Sequence, residues 1–474
     1  MIARMSETES GWPSIRSREE AEQAASGAWA RAAEAQRRVS PFVRIFDEKV
    51  EMAGWNPGSL VIASAKDNLC VRGRETTAGS RVLAGYCPPM TATAVARLQQ
   101  AGAVLIGHTH MDEFGFGTFG SSGASGAPKN PWDPERVCGG SSAGAACATS
   151  MLDSHLAIAE STGGSISCPA AWCGVFGLTP TYGRVSRWGL IDYANSLDKI
   201  GVMAREPALA FAALRRMSGP DPNDMTSRSP DNRPFSRKRV ERAIVPKELL
   251  VGVDRPVRDA FEKAVEKVKD SGIRVDAGSF PSARLAVAAY YLIACSEAST
   301  NLARYSGLRF GVRGERFVDN MQRFASEVRT ASLGPEAKRR IMLGTFARMA
   351  GYRDQYYARA LQARSAITAG LRGLLGLSED TVILTPTMPV LPPKASETGS
   401  LRPEQVYALD RLTIPANLAG LPHASMPCGL AGGLPVGLQV VAPHWGEGLV
   451  EDFAIRMSTA FGTLRPMIAG GDRG

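Results

Sequence analysis

Between residues 59 and 160, short apolar runs alternate with segments of helical composition, and this alternation constrains the fold most strongly. The run 59–65 (SLVIASA) reads as a buried strand ending at Lys66. Residues 91–102 read as a helix with Thr91 as cap and Gly102 as stop, leading into a second strand at 103–107 (AVLIG). A helix of small residues at 142–151 and a strand at 155–160 (HLAIAE) continue the pattern. Such an order predicts an α/β architecture. Upstream, 19–38 has helical composition and follows an irregular tail over 1–18. Downstream, 218–237 is rich in turn formers, and 255–303 reads as two helices separated by strand-like 273–279. The runs 381–386 and 436–442 read as late strands. With no repeat, low-complexity block or clear linker, 19–470 reads as a single large domain.

Much of the glycine lies between 100 and 190, where the chain must turn sharply or approach a ligand closely. No apolar run reaches bilayer-spanning length, and the first residues carry no apolar signal segment, so a soluble cytoplasmic protein is expected. The eight cysteines form no CxxC pair, which argues for reduced buried thiols over disulfides or zinc. A net charge of +9 reads as a mildly basic solvated surface. The basic clusters at 234–242 and 338–340 lack the interleaved aromatics of a single-strand nucleic-acid binder.

Three segments carry candidate chemistry: Ala65-Lys66-Asp67-Asn68, Gly139-Gly140-Ser141-Ser142-Ala143-Gly144 and Ser161-Thr162-Gly163-Gly164-Ser165-Ile166. A serine hydroxyl is a weak nucleophile until a base takes its proton. A lysine serves as that base only when neutral, a form favoured by burial at the inner end of an apolar strand. The run Thr162-Gly163-Gly164 suits an oxyanion hole, because glycines let successive N–H groups converge on one point. The same run also suits an ordinary strand-to-loop turn in which Ser165 caps a backbone group. Lys66 alone also suits a surface or salt-bridging lysine. Gly139–Ser142 is not followed by the GK[ST] of a phosphate-binding loop. None of the five histidines lies in a nucleophile-like turn.

Taken together and in this order, the three segments resemble the amidase signature family. Its pattern has a lysine in a K-D-N-like context, a G-G-S-S loop and a G-G-S-I turn, with the two serines 24 positions apart (165 − 141 = 24). The resemblance implies an αβα sandwich with a central mixed sheet. It implies Ser165 as nucleophile, Ser141 as proton relay in a cis peptide bond, Lys66 as general base, and Thr162, Gly163 and Gly164 as the oxyanion hole. Further segments, among them Thr179-Pro180-Thr181-Tyr182-Gly183-Arg184 and Arg339-Arg340-Ile341-Met342-Leu343-Gly344, resemble the glutaminase subgroup that serves tRNA amidotransferases.

For that subgroup, the resemblance implies Arg340 on the substrate α-carboxylate, Asp410 on the α-ammonium and Tyr290 lining the pocket. Glutamine would be the small-molecule substrate, with no cofactor or metal in this chain. The partners would be B and C subunits, the B subunit binding tRNA and using ATP and Mg to amidate misacylated Glu-tRNA or Asp-tRNA. Three positions depart from the family's pattern: Ser161 for aspartate, Ser167 for arginine and Ala143 for glycine. They leave two alternatives open: a stand-alone amidase on small or aryl amides, and a weakly or non-catalytic scaffold subunit of a tRNA amidotransferase.

Overall fold

A computed structural model describes residues 11–15, 17–55, 58–228, 239–313, 320–376 and 379–466. Its centre is an eleven-stranded mixed sheet. The strands are β1 (Phe42–Ile45), β2 (Val61–Lys66), β3 (Ala103–Thr109), β4 (His155–Ser161), β5 (Phe176–Thr179), β6 (Lys199–Ala204), β7 (Arg242–Pro246), β8 (Arg274–Gly278), β9 (Thr381–Pro386), β10 (His423–Ala431) and β11 (Leu434–Val441). Their spatial order is β1-β3-β2-β4-β6-β5-β10-β11-β9-β7-β8. Strands β3, β2 and β4 run parallel, as do β9, β7 and β8, and the strands between these groups pair antiparallel.

The strands are apolar because helices cover both faces. On β4, Leu156 and Ile158 enter one core with Phe176, Ile200 and Val202. Ala157 and Ala159 point the other way, against Ala145, Ala146 and Cys147 of the helix Ala143–Met151. Small side chains on both partners let this helix lie close to the sheet. The result is the expected αβα sandwich. Among the described residues, no helix is long and apolar enough to cross a membrane.

Most of the expected elements are present. The helix expected over 19–38 spans Arg18–Val39, and the segment 255–303 resolves into helices Arg255–Asp270 and Ala286–Asn301 with β8 between them. The helix expected over 91–102 is shorter, Thr93–Gln100, and Thr91 is not its cap. Ala92 occupies that position without a side-chain bond, and the Thr91 hydroxyl accepts the N–H of Arg72 instead. Most of the tail 1–18, and the part of the 218–237 loop from 229 onward, lie outside the described residues.

Candidate active site

Strands β2 and β4 are parallel neighbours, with Ala65 in register with Ile158, so both deliver their C-terminal ends to one edge of the sheet. Ligands of open α/β sheets gather at such edges. Strand β2 ends on Lys66, whose side chain is fully buried. Its Nζ donates to Ser141 Oγ at 2.8 Å, to the Glu160 main-chain oxygen at 3.1 Å and to Glu160 Oε2 at 3.0 Å. Lys66 and Ser141 are therefore in direct contact across 75 positions of chain. The carboxylate beside the amine is a partner the sequence did not announce.

Ser141 sits on the glycine loop after a cis Gly140–Ser141 peptide bond, as the family resemblance implied. Asp112 shapes this loop. It accepts the N–H of Gly120 at 2.9 Å and both the N–H and the hydroxyl of Ser122, and its own N–H donates to the Ser141 carbonyl at 3.1 Å. A Cβ on Gly140 would lie 2.1 Å from Asp112 Oδ2, so only glycine fits there. Ala143, where the family's pattern has glycine, is accommodated because Gly120 opposite has no side chain: a Cβ there would lie 2.2 Å from that of Ala143.

Ser165 follows β4 through the turn Thr162–Gly164. The carbonyls of Gly163, Gly164 and Ser165 are used inside the protein. That of Gly163 accepts the Ser161 hydroxyl at 3.4 Å, that of Gly164 accepts Cys168 N–H at 2.8 Å, and that of Ser165 accepts Ser142 N–H at 3.2 Å. The last bond joins the two serine loops. Among the described residues, the Ser165 hydroxyl forms no hydrogen bond, so the link from Ser165 to Ser141 is not closed as the link from Ser141 to Lys66 is. Of the remaining departures from the family's pattern, the Ser161 hydroxyl makes only the long bond to Gly163, and the Ser167 hydroxyl is buried without a partner.

Ser165, Tyr290, Tyr291, Arg340 and Asp410 line a small cavity of about 10 Å³, room for about one water molecule. A wider cavity of about 330 Å³ adjoins it, and Arg340 lines both. Arg340 is 3% exposed, not a member of a surface basic cluster. Its Nε donates to Glu336 Oε1 at 2.8 Å and its Nη1 to the Tyr193 hydroxyl at 2.6 Å. Its guanidinium carbon lies 5.1–5.7 Å from the rings of Phe116, Tyr193, Tyr291 and Tyr407. Asp410 accepts from Thr118 Oγ1 and Tyr291 Oη, both at 3.1 Å, and burial pushes its carboxyl up to about 6. Tyr290 packs on the turn: a Cβ at Gly163 would lie 2.9 Å from its hydroxyl oxygen. Tyr291, next to Tyr290 in the chain, lines the cavity with it. The histidines stand apart from this chemistry, and burial pushes His108 and His110 down to about 4.

The chain is 44% identical to the glutamyl-tRNA(Gln) amidotransferase A subunit of Halobacterium salinarum over 416 residues, covering 86% of this chain and 97% of the relative. It is 42% identical to the protein of the same name from Thermus thermophilus, over 88% of this chain and 87% of that one. The crystal structure of the corresponding protein from Thermotoga maritima superposes with a TM-score of 0.77 at 33% identity, covering 94% and 92% of the two chains. The native peptide amidase of Stenotrophomonas maltophilia superposes with a TM-score of 0.76 at 25% identity, over 94% of each chain. With the Amidase family profile matching residues 56–450, the chain belongs to the amidase family.

Proposed function

We propose that this amidase hydrolyses the side-chain amide of glutamine, and that the ammonia it releases is used by a tRNA amidotransferase in which it is the A subunit. In this reading, Ser165 attacks the amide carbon while its proton passes to Ser141, and that of Ser141 to Lys66. The carbonyls of Gly163 and Gly164 are bonded inside the protein, which supports the N–H groups of Thr162–Gly164 as the ones that stabilise the oxyanion. Return of the proton through Ser141 lets ammonia leave, and water cleaves the acyl-enzyme by the same path. Arg340 holds the α-carboxylate and Asp410 the α-ammonium. The observation that carries the reading is the 2.8 Å contact between buried Lys66 and Ser141, on the edge of the sheet where Ser165 meets Arg340 and Asp410.

The names of the relatives support the amidotransferase assignment. The B and C subunits and tRNA are then the partners, ATP and Mg belong to the B subunit, and the complex works in the cytoplasm. The decisive experiment is a glutaminase assay on the co-purified native complex and on the isolated chain. Glutamine hydrolysis that depends on Ser165 is expected, raised by the partners. Full activity in Ser165→Ala would refute the assignment.

One observation favours a stand-alone amidase: Arg340 already has a carboxylate partner in Glu336. On that reading Arg340 is structural and the substrate has no α-carboxylate. Arg340→Ala then leaves hydrolysis of a simple aliphatic amide intact and glutamine a poor substrate throughout.

A further inference from the structure

Glu160 has no role in the proton path described above, yet it touches the base of that path and a residue in each of the two loops that carry its serines. Its Oε2 accepts from Lys66 Nζ at 3.0 Å and from Asn68 Nδ2 at 3.2 Å, and its Oε1 accepts from Thr162 Oγ1 at 2.7 Å. Its main-chain oxygen accepts from Lys66 Nζ at 3.1 Å and from Ser142 Oγ at 3.2 Å. One residue thus grips the amine twice, the serine loop once and the first residue of the oxyanion turn once.

The charged and titratable groups around it leave this pairing undivided. Asp198, just before β6, faces Glu160, and its carboxylate accepts the N–H groups of Tyr193 and Ala194. Burial, with the nearby charge of Glu160, holds the Asp198 carboxyl well above the usual range. Asp67, beside Lys66, turns its carboxylate to Thr77 and Gly79. Lys199 of β6 turns to the Leu421 carbonyl at 2.9 Å. Asp192 reaches toward Arg304 at 3.2 Å. Gly115 packs over the carboxylate: a Cβ on it would lie 3.5 Å from Ser141 Oγ, 3.6 Å from Glu160 Oε2 and 3.7 Å from the Tyr193 ring.

We propose that Glu160 is a positioning residue that holds the Lys66 amine against Ser141 and provides the counter-charge for the ammonium formed when Lys66 takes the relayed proton. The arrangement parallels a carboxylate behind a histidine base, which orients the base and stabilises its protonated form without accepting the proton. The proton leaves Ser165 for Ser141 as the proton of Ser141 goes to Lys66. It returns by the same route to the departing amine, and Glu160 stays ionised throughout. Thr162 connects this carboxylate to the oxyanion turn.

The inference rests on Lys66 acting as the base, so the experiment separates the two ideas. Glutamine hydrolysis and the labelling of Ser165 by a fluorophosphonate are followed against pH in the full chain. Glu160→Gln keeps the shape and removes the charge. The acid limb of kcat/KM and of the labelling rate is expected to move to lower pH by about one unit, because the ammonium then lacks its counter-charge. The plateau kcat is expected to fall about tenfold or more, with KM little changed. An acid limb that stays in place overturns the proposal, whatever the plateau does, because a merely structural defect lowers activity evenly across pH. Thr162→Val supplies a second test should Glu160→Gln misfold. Losing that donor strengthens the pull of the carboxylate on the lysine proton, so the limb is expected to move to higher pH, and no movement or the opposite movement overturns the proposal. Ser165→Ala marks the boundary: if it still hydrolyses glutamine at the normal rate, the proposed nucleophile fails, whereas a dead Ser165→Ala with an unmoved Glu160→Gln profile refutes only the role of Glu160.

Discussion

The hydroxyl of Tyr291 donates to Asp410 Oδ2 at 3.1 Å, and Thr118 donates to the same oxygen at the same distance. These two bonds hold a buried carboxylate at the cavity that Ser165 lines. Burial raises its pKa to about 6 against the pull of these hydrogen bonds. If this carboxylate binds the substrate ammonium, it must be ionised to do so, and the ionised fraction falls as pH drops through about 6. KM for glutamine is therefore expected to rise about tenfold for each pH unit below that value, with kcat less affected. Tyr291→Phe removes one donor to the charged form, so the rise should begin at higher pH. Steady-state kinetics on both proteins from pH 5 to 8 (roughly the span over which such a carboxylate titrates) would decide it. A flat KM would take Asp410 out of ammonium binding.

Lys66 and Glu160 make a second prediction, about stability. Both side chains are essentially out of solvent, 0% and 1% exposed, and are paired at 3.0 Å. Removing one partner of a buried pair leaves the other charge unmatched, at a cost of about 3–5 kcal/mol. Lys66→Met should accordingly lower stability by about that amount and reduce kcat about 10²–10⁴-fold. Adding Glu160→Gln should restore most of the stability and none of the activity. Denaturant unfolding of the four proteins of this cycle gives the coupling directly. Purely additive losses would show that the two groups do not act as a pair.

The sequence made this pair half visible. Lys66 was legible because it ends an apolar strand, and Ser141 and Ser165 because glycine pairs precede them. Glu160 also ends an apolar run, but one acid at a strand end reads as a solvated residue until the parallel register of β2 and β4 brings it to Lys66. Strands β1 and β5 are four residues each, too short for periodicity to separate from loop. The helix start at Thr93 escapes the sequence because Thr91 has the right chemistry for a cap, yet its hydroxyl is bound to Arg72. The aromatic surround of Arg340 draws Phe116, Tyr193, Tyr291 and Tyr407 from four distant stretches of chain, and no local pattern announces such an assembly.

The two glycines of the turn Thr162–Gly164 are sterically required. A Cβ at Gly163 would lie 2.9 Å from the Tyr290 ring, and one at Gly164 would lie 2.5 Å from Thr413 Oγ1. Both neighbours are buried and have little room to retreat. Alanine at either position should cost about 1–3 kcal/mol of stability and, by displacing the turn, about 10²-fold in kcat. Thermal melts and fluorophosphonate labelling of Ser165 would report the two effects separately. Unchanged labelling in both variants would mean that the turn tolerates a side chain and does not set the geometry around Ser165.

Arg340 yields the last prediction, because its guanidinium already serves two acceptors. Nε is committed to Glu336 and Nη1 to the Tyr193 hydroxyl. A substrate carboxylate must be met by the rest of the fork, which a guanidinium allows and an ammonium does not. Arg340→Lys keeps the charge but has no planar fork, so it cannot reach Glu336, Tyr193 and a carboxylate together. Its KM for glutamine should rise nearly as far as in Arg340→Ala, about 10²-fold, the loss of a hydrogen-bonded charge pair. Hydrolysis of a small amide without an α-carboxylate should change far less in both variants. If Arg340→Lys instead kept the normal KM, charge alone would suffice and the fork geometry would have no part in recognition.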